Sequence, residues 1–408
     1  MVKRIAAILF IFVCTSVAWI ILGSTIFLRT QEVDSSLRGV VASNWGSPQK
    51  QAAPLANLEV KEKRTEDVYE GKRKQTRVTY ATVLKPLPLE SSRLHATLDL
   101  EHRQKGLLWY STYTVNFAGT YTFRNNDSGP VHFTLPFPAS QAIYDDLVFT
   151  IDGLPAPLTN QKTQIQATAV IPAGKSVTLQ VGYRSQGLSR WAYSFGDEVA
   201  QVRDFSLHVR TNFKAVDFPE NTLSPTEKQE APEGWDLSWN YRNLVTGYQI
   251  AIAMPEKLQP GPLAGQISFF APVSLFFFFF LMWIITTLRE IELHPMNYFF
   301  LGAAFFAFHL LLAYLVDHIS IHAAFVICSV VSIALVISYL RLVVGIRFAA
   351  VEAGLAQLIY LVLFSYAFFF KGYTGLTVTV GSILTLFIVM QLTGRIQWAE
   401  KLAGGPVR

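Results

Sequence analysis

The residues most able to do chemistry lie in the C-terminal third, at the ends of apolar runs. His294-Pro295 follows Glu290 and Glu292 closely enough for a proton relay or a metal site. The same proline suits the first position of a helix, where its missing N–H costs nothing, so a turn between two helices is the favoured reading. Asp317-His318 precedes His322. Positions i and i+4 of a helix face one way, a spacing metals can use, but Ser320 interrupts that register and no HExxH or second cluster supports it. His309 stands inside an apolar stretch, where an ionisable side chain is a functional candidate by default. A neutral imidazole bonded to a neighbouring helix is the favoured alternative. Glu352 and Gln357, with Arg341 and Arg347 near them in sequence, suggest a polar cluster or an interfacial ion pair.

Other chemistries find little footing. There is no GxSxG, no P-loop, no GxGxxG after a strand, and Asp145-Asp146 has no visible partner. The two cysteines, Cys14 and Cys328, sit in separate apolar runs and make neither a disulfide framework nor a zinc site. No catalytic residue, metal site or cofactor is expected. The residues carried forward as motif candidates, structural or functional, are His294, Pro295, His309, Asp317 and His318.

The elements that position them are set by composition. Of 408 residues, 51% are hydrophobic and only 15% charged, with a mean hydropathy of +0.31. A soluble domain carries about 25% charged residues. The deficit is confined to residues 1–28 and 267–393. About 20 apolar residues cross a bilayer core, and six runs qualify: Ile5–Leu28, Ile267–Leu288, Tyr298–Val316, Ala323–Leu340, about Ala353–Phe370 and Leu376–Leu392. Backbone groups in lipid must be satisfied internally, so these runs are predicted to be helices. The first is too long for a signal-peptide core and lacks a clear cleavage site, so an uncleaved signal anchor is expected.

Basic residues set the orientation. Lys3 and Arg4 hold the N-terminus in the cytoplasm, and the alternating loops then place Arg289, Arg341, Arg347, Arg395, Lys401 and Arg408 on the same side. The short outer turns hold only Lys371. Residues 29–265 are thereby predicted outside the cytoplasm. The net charge of +5 is accounted for by these flanks, and no nucleic-acid partner is expected.

Within the outer region, residues 29–75 read as a polar tether, because Lys61–Asp67 and Lys72-Arg73-Lys74 are rich in charge. Residues 76–265 change to period two. Thr76–Val83, Leu94–Leu100, Trp109–Phe117, Thr120–Arg124, Val131–Leu135, Leu147–Asp152, Gln164–Ile171, Ser176–Tyr183 and Val199–Thr211 read as strands, with Trp235–Tyr241 and Tyr248–Met254 closing the set. Turn-like dividers fall at Ala118-Gly119, Asn125–Pro130, Pro172–Lys175 and Asn221–Glu230. The predicted architecture is a membrane α-helical bundle of six transmembrane helices with an antiparallel β-sandwich-like extracytoplasmic domain. Its parts are 1–28 anchor, 29–75 tether, 76–265 β domain, 266–393 five-helix region and 394–408 cytoplasmic tail.

Four stretches resemble the CreD family of bacterial inner-membrane proteins. Trp45-Gly46-Ser47-Pro48-Gln49 through Pro54 is similar to that family's "GPQ…GP" segment, and Glu101-His102-Arg103-Gln104-Lys105-Gly106 through Tyr110 to its "ER-x-K/R-G-I-Y" strand pair. Leu293-His294-Pro295-Met296-Asn297-Tyr298, leading to Leu310–Ala313 and Asp317-His318, is similar to "LHPMQYLLVG…LLLALSEH". Gly394–Trp398 is similar to "R-x-I-D-W". Ser47, Asp317 and Gln397 depart from the pattern. The resemblance implies an inner-membrane protein with a periplasmic domain that contributes to envelope integrity. No biochemical activity comes with it. The expected role is non-enzymatic binding, with the lipid bilayer and other envelope proteins or lipids as partners. The alternative is a transporter or export component whose β domain gates the helix bundle.

Overall fold

A computed structural model describes residues 2–70, 73–105, 108–140, 142–196, 198–370 and 372–394. Lys371, Arg395, Trp398, Lys401 and Arg408, which enter the charge and tail arguments, lie outside the described residues, as does the predicted tail from residue 395 on. The chain divides into two units. One holds residues up to Ser36 and from Leu258 onward, and the other Leu37–Lys105 and Trp109–Lys257.

Among the described residues, six helices are long and apolar enough to cross a membrane. They are α1 (Val2–Trp45), α2 (Pro260–Leu288), α3 (Pro295–Leu315), α4 (Ile321–Val343), α5 (Phe348–Phe369) and α6 (Thr374–Thr393). Their outward faces are apolar as well as their inner ones: Ile20, Val326, Val330, Ile383 and Phe387 are exposed. A helix hydrophobic all round belongs in lipid or in a large core. The inner faces are built from aromatic rings. Phe278, Phe305 and Phe308 are buried together with Trp19 of α1. The fifth span starts at Phe348, earlier than the predicted Ala353, and contains two π-helical stretches, Phe348–Ala353 and Leu358–Leu363. Propensity carries no signal for such widened turns.

The second unit is built of strands. A five-stranded sheet contains β2 (Leu55–Glu70), β3 (Arg73–Pro86), β6 (Gly129–Pro136), β9 (Thr159–Asn160) and β10 (Gln164–Ile171), in the order β3-β2-β6-β10-β9. An eight-stranded sheet contains β4 (Leu89–Lys105), β5 (Leu108–Arg124), β7 (Tyr144–Ile151), β8 (Leu154–Pro155), β11 (Ser176–Leu188), β13 (Ala200–Thr211), β14 (Glu227–Glu230) and β15 (Trp235–Thr246), in the order β14-β15-β13-β4-β5-β11-β7-β8. A small third sheet joins β1 (Gln49–Ala52), β12 (Arg190–Ser194) and β16 (Ile250–Ala253). One core takes side chains from all three, including Leu58, Phe133, Leu94, Val115, Val181, Trp191 and Ile252. Strict alternation places them there: on β11, Val177, Leu179, Val181 and Tyr183 are buried while Ser176, Gln180 and Arg184 face out. The turns predicted at Asn125–Pro130 and Pro172–Lys175 lock together. The buried Asn125 donates from Nδ2 to the Ile171 carbonyl (2.9 Å), and its backbone N–H bonds the Lys175 carbonyl (3.0 Å).

Several expectations are corrected. The region 29–75 is not a tether. α1 continues to Trp45, β1 and β2 follow, and β3 begins at Arg73. Its charges hid a period-two pattern in which Ala56 and Leu58 point into the core, while Glu62 reaches across to Lys85 of β3 at 2.8 Å. Burial by one face is enough to fix a strand even where the other is highly charged. The break predicted at Ala118-Gly119 is absent, since β5 runs through it. Gly119 serves close packing there: a Cβ would lie 2.8 Å from the Tyr121 ring and 3.0 Å from Leu94. The divider at Asn221–Glu230 includes β14. Pairing is parallel for β4 with β13 and for β1 with β12, and antiparallel for pairs such as β5 with β11, β13 with β15 and β2 with β3.

Candidate functional site

The five motif candidates of the helical unit do not come together. His294 is the N-cap of α3, its Nδ1 accepting from the Met296 N–H at 3.2 Å, and Pro295 occupies the first helical position. Pro295 thus starts the helix, as the turn reading expected, and the His294 cap is an addition made visible by the structure. Asp317 pairs with Arg29 of α1 at 3.2 Å, while Arg29 also donates to the Ala313 carbonyl at 2.7 Å and lies 5.5 Å from the Tyr314 ring centre. His318 and His322 are exposed, and the His322 ring packs against Phe369. Among the described residues, no three His, Cys, Asp or Glu side chains gather to hold a metal.

His309 is completely buried. Its Nδ1 lies 3.0 Å from the Phe305 carbonyl one turn earlier, which requires the proton on Nδ1. Trp19 and Phe308 wall the ring edge-on, at 5.6 and 4.9 Å between ring centres. Glu352, expected near Arg341 and Arg347, instead pairs with Arg289 at the end of α2. Gln357 sits between the two π-helical stretches and donates to Ser332 Oγ of α4 at 2.6 Å. That hydroxyl donates in turn to the Ala304 carbonyl of α3 at 2.6 Å. This three-helix relay is a polar tie of the kind that holds membrane helices in register. Sequence reading named Gln357 but missed Ser332, because a lone serine in an apolar run has no distinguishing signal.

The β unit, by contrast, gathers two of the family-like stretches into one cluster. Gly46 ends α1 with φ +108°, and a Cβ there would fall 2.2 Å from the Gln186 carbonyl oxygen, so only glycine fits. Gln49 is buried and its Nε2 donates to Ser185 Oγ (2.7 Å) and the Gln186 carbonyl (2.8 Å). Gln51, also buried, accepts from the Tyr183 hydroxyl at 2.6 Å. Arg103 lies 5.0 Å from the Trp45 ring centre and bonds Glu101 at 2.7 Å. Lys257 lies 3.9 Å from the Trp109 ring centre. His102 Nε2 and Ser111 Oγ meet the Pro255 carbonyl at 2.9 and 2.6 Å. Residues 45–51, 101–103, 109–111, 183–186 and 255–257 therefore tie the chain's entry into this unit to its exit.

The electrostatics are those of a neutral lock. Burial pushes the phenols of Tyr113, Tyr183 and Tyr193 well above the ordinary value, so they stay neutral, and Tyr113 and Tyr183 donate to the Arg190 carbonyl and Gln51 Oε1. Tyr144 is pushed up to about 12 by the same cause, and its hydroxyl both accepts from the Ala139 N–H and donates to the Ala139 carbonyl. Asp145 pairs with Arg184 at 3.1 Å, which answers the question of its partner.

Two further polar groupings were invisible in the sequence. His132 sits between Glu59 and Thr168 at 3.0 Å from each. His208 stacks on His95 with 5.3 Å between ring centres and bonds Ser238 at 2.9 Å. Each is created by strand register, β6 with β2 and β10, and β13 with β4 and β15. His132 is half-buried, and His95 and His208 are exposed.

No curated protein matches the chain. Among solved structures, a protein described as nutrient-binding from Legionella pneumophila superposes with a TM-score of 0.32 at 10% identity, covering 57% of this chain and 76% of that one. An M1 zinc metallopeptidase from Deinococcus radiodurans gives 0.29 at 11% identity, covering 41% of this chain and 42% of the peptidase. Neither score is that of a shared fold. The family described as "Inner membrane protein CreD" matches residues 199–399. Over that stretch, which runs from β13 through the helices and includes the Leu293–Tyr298 motif, the chain belongs to the CreD family of inner membrane proteins.

Proposed function

We propose that this protein supports envelope integrity from the inner membrane. In this reading the β unit stands in the periplasm as a sandwich of two large sheets, both termini are cytoplasmic, and the β unit acts by binding other envelope components without covalent chemistry. The observation that carries the reading is the CreD match, which runs without interruption from the β unit into the membrane helices. The contacts of α1 support its role as a retained anchor: Trp19 is buried against the other helices and Arg29 pairs with Asp317. A binding role is favoured because the clustered polar groups of the family-like stretches hydrogen-bond one another and leave no activated nucleophile among them. A conduit through the helices is not adopted, since His309 is enclosed by aromatic rings and Glu352 is paired with Arg289.

The test is genetic. Deleting the gene is expected to raise sensitivity to detergents, envelope-targeting antibiotics and colicin-like toxins, with rescue by the full chain. Unchanged sensitivity to all three would remove the reading. Reporter fusions near Thr150 and at Arg408 should report opposite sides of the membrane, as basic flanks require.

A further inference from the structure

The helical unit carries an apolar groove of about 220 Å³ between α1 and α2, lined by Ile5, Leu9, Phe12, Phe276, Phe280 and Trp283, among others. Large rings create it. Phe12 meets Phe276 edge-on with 6.1 Å between ring centres, and this holds the two helix backbones apart. Two cations precede the first groove residue in the chain. Arg4 lies one residue before Ile5, next to the exposed Lys3. The groove residue Phe279 packs edge-on against Tyr298 at 5.4 Å, and the Arg4 guanidinium is the electrostatic neighbour of the Tyr298 hydroxyl. Arg4 Nε and Nη2 are buried without an acceptor, and the Tyr298 hydroxyl, whose oxygen is within reach of Arg4 and Thr286, has no acceptor for its own proton. Buried donors without an acceptor are costly in a low-dielectric setting, a cation most of all.

We propose that this is a binding site for one anionic phospholipid. An acyl chain lies in the groove, and a phosphodiester oxygen accepts from Arg4 and Tyr298. The headgroup must supply the selectivity. Lipid tails are as apolar as the groove, so the chain contact by itself prefers no lipid over another. A basic pocket between helices at the membrane surface does prefer an anion. Arginine suits the role, because its planar fork presents paired donors to phosphate oxygens. The position of Lys3 and Arg4 at the start of the first span places the site in the leaflet on the N-terminal side.

The test uses the full-length purified protein in detergent, with phosphatidylglycerol or phosphatidylcholine of identical chains, read by native mass spectrometry. The wild type is expected to retain phosphatidylglycerol about fivefold or more over phosphatidylcholine, the ratio that one basic group near an anionic surface supplies. Arg4→Gln should abolish that preference and Arg4→Lys should keep part of it. Tyr298→Phe, which leaves the flanking charges untouched, should lower phosphatidylglycerol retention about threefold through one lost hydrogen bond. Leu9→Trp should fill the groove and lower retention of both lipids. The proposal is overturned if Arg4→Lys and Tyr298→Phe both retain the anionic lipid as the wild type does, or if the two lipids bind equally. It is also overturned if glycerol phosphate displaces the lipid as well as intact phosphatidylglycerol does, which would mean a free-anion site. Lipid-free dimers whose yield falls in Leu9→Trp would instead mean that the groove holds a second copy.

Discussion

Gln49→Ala tests whether β1 is held by the side chain that the family-like segment supplies. The substitution removes two hydrogen bonds, to Ser185 Oγ and to the Gln186 carbonyl, at 2.7 and 2.8 Å. Each group left unsatisfied inside costs about 1–3 kcal/mol. The same change also deletes Gln49 Oε1, which is buried with no partner. Losing that orphan returns about 1–2 kcal/mol. The net expectation is a loss of about 2 kcal/mol, or about 30-fold in the local opening equilibrium. The loss should be confined to the small sheet, because β1 pairs only with β12 in its ladder. Amide hydrogen exchange of the full chain in detergent reads this directly, since local opening energies are resolved element by element. Amides of β1 and β12 should exchange about 30-fold faster, while β5 and β11 away from residue 185 stay protected. Ser185→Ala should show a smaller effect, because the Gln49 amide keeps its bond to the Gln186 carbonyl. Exchange in Gln49→Ala within about threefold of wild type would refute the claim that this glutamine holds the strand.

Gly46→Ala should cost more than about 3 kcal/mol, since it places a Cβ on a backbone carbonyl at a positive φ; a variant β unit as trypsin-resistant as wild type would contradict this. In an alkaline titration, tyrosinate absorbance should show Tyr113, Tyr121, Tyr144, Tyr183 and Tyr193 silent at the ordinary value of 10.0. Their raised values favour the neutral form in the fold, so stability is intact below pH 10.0 and falls as pH rises beyond it, toward about 12 for Tyr144. Full ionisation near pH 10 with the sheets still intact would count against their burial. Asp317→Asn should cost no more than about 1 kcal/mol, because both partners are more than a third exposed and Arg29 keeps the Ala313 carbonyl; thermal unfolding in detergent checks it. Ser332→Ala should destabilise the helices more than Gln357→Leu, because the first strands the Gln357 amide while the second leaves Ser332 bonded to Ala304. The reverse order in the same assay would refute the relay.

Sequence by itself determined the spans, because crossing hydrocarbon depends on the length and polarity of one contiguous run. It also determined most strand positions from Leu94 to Thr211, where alternation is a local property, and the helix start at Pro295, since that preference acts within one turn. It failed at residues 55–60, where Ala56 and Leu58 are buried just ahead of a highly charged run, and at Gly119, where a turn-former served close packing instead. Only the tertiary structure decided which distant residues meet. Gln49 finds Ser185, Arg103 finds Trp45 and Lys257 finds Trp109 because strands that pair across more than a hundred residues share one register, and register is fixed by the whole buried face rather than by any local pattern.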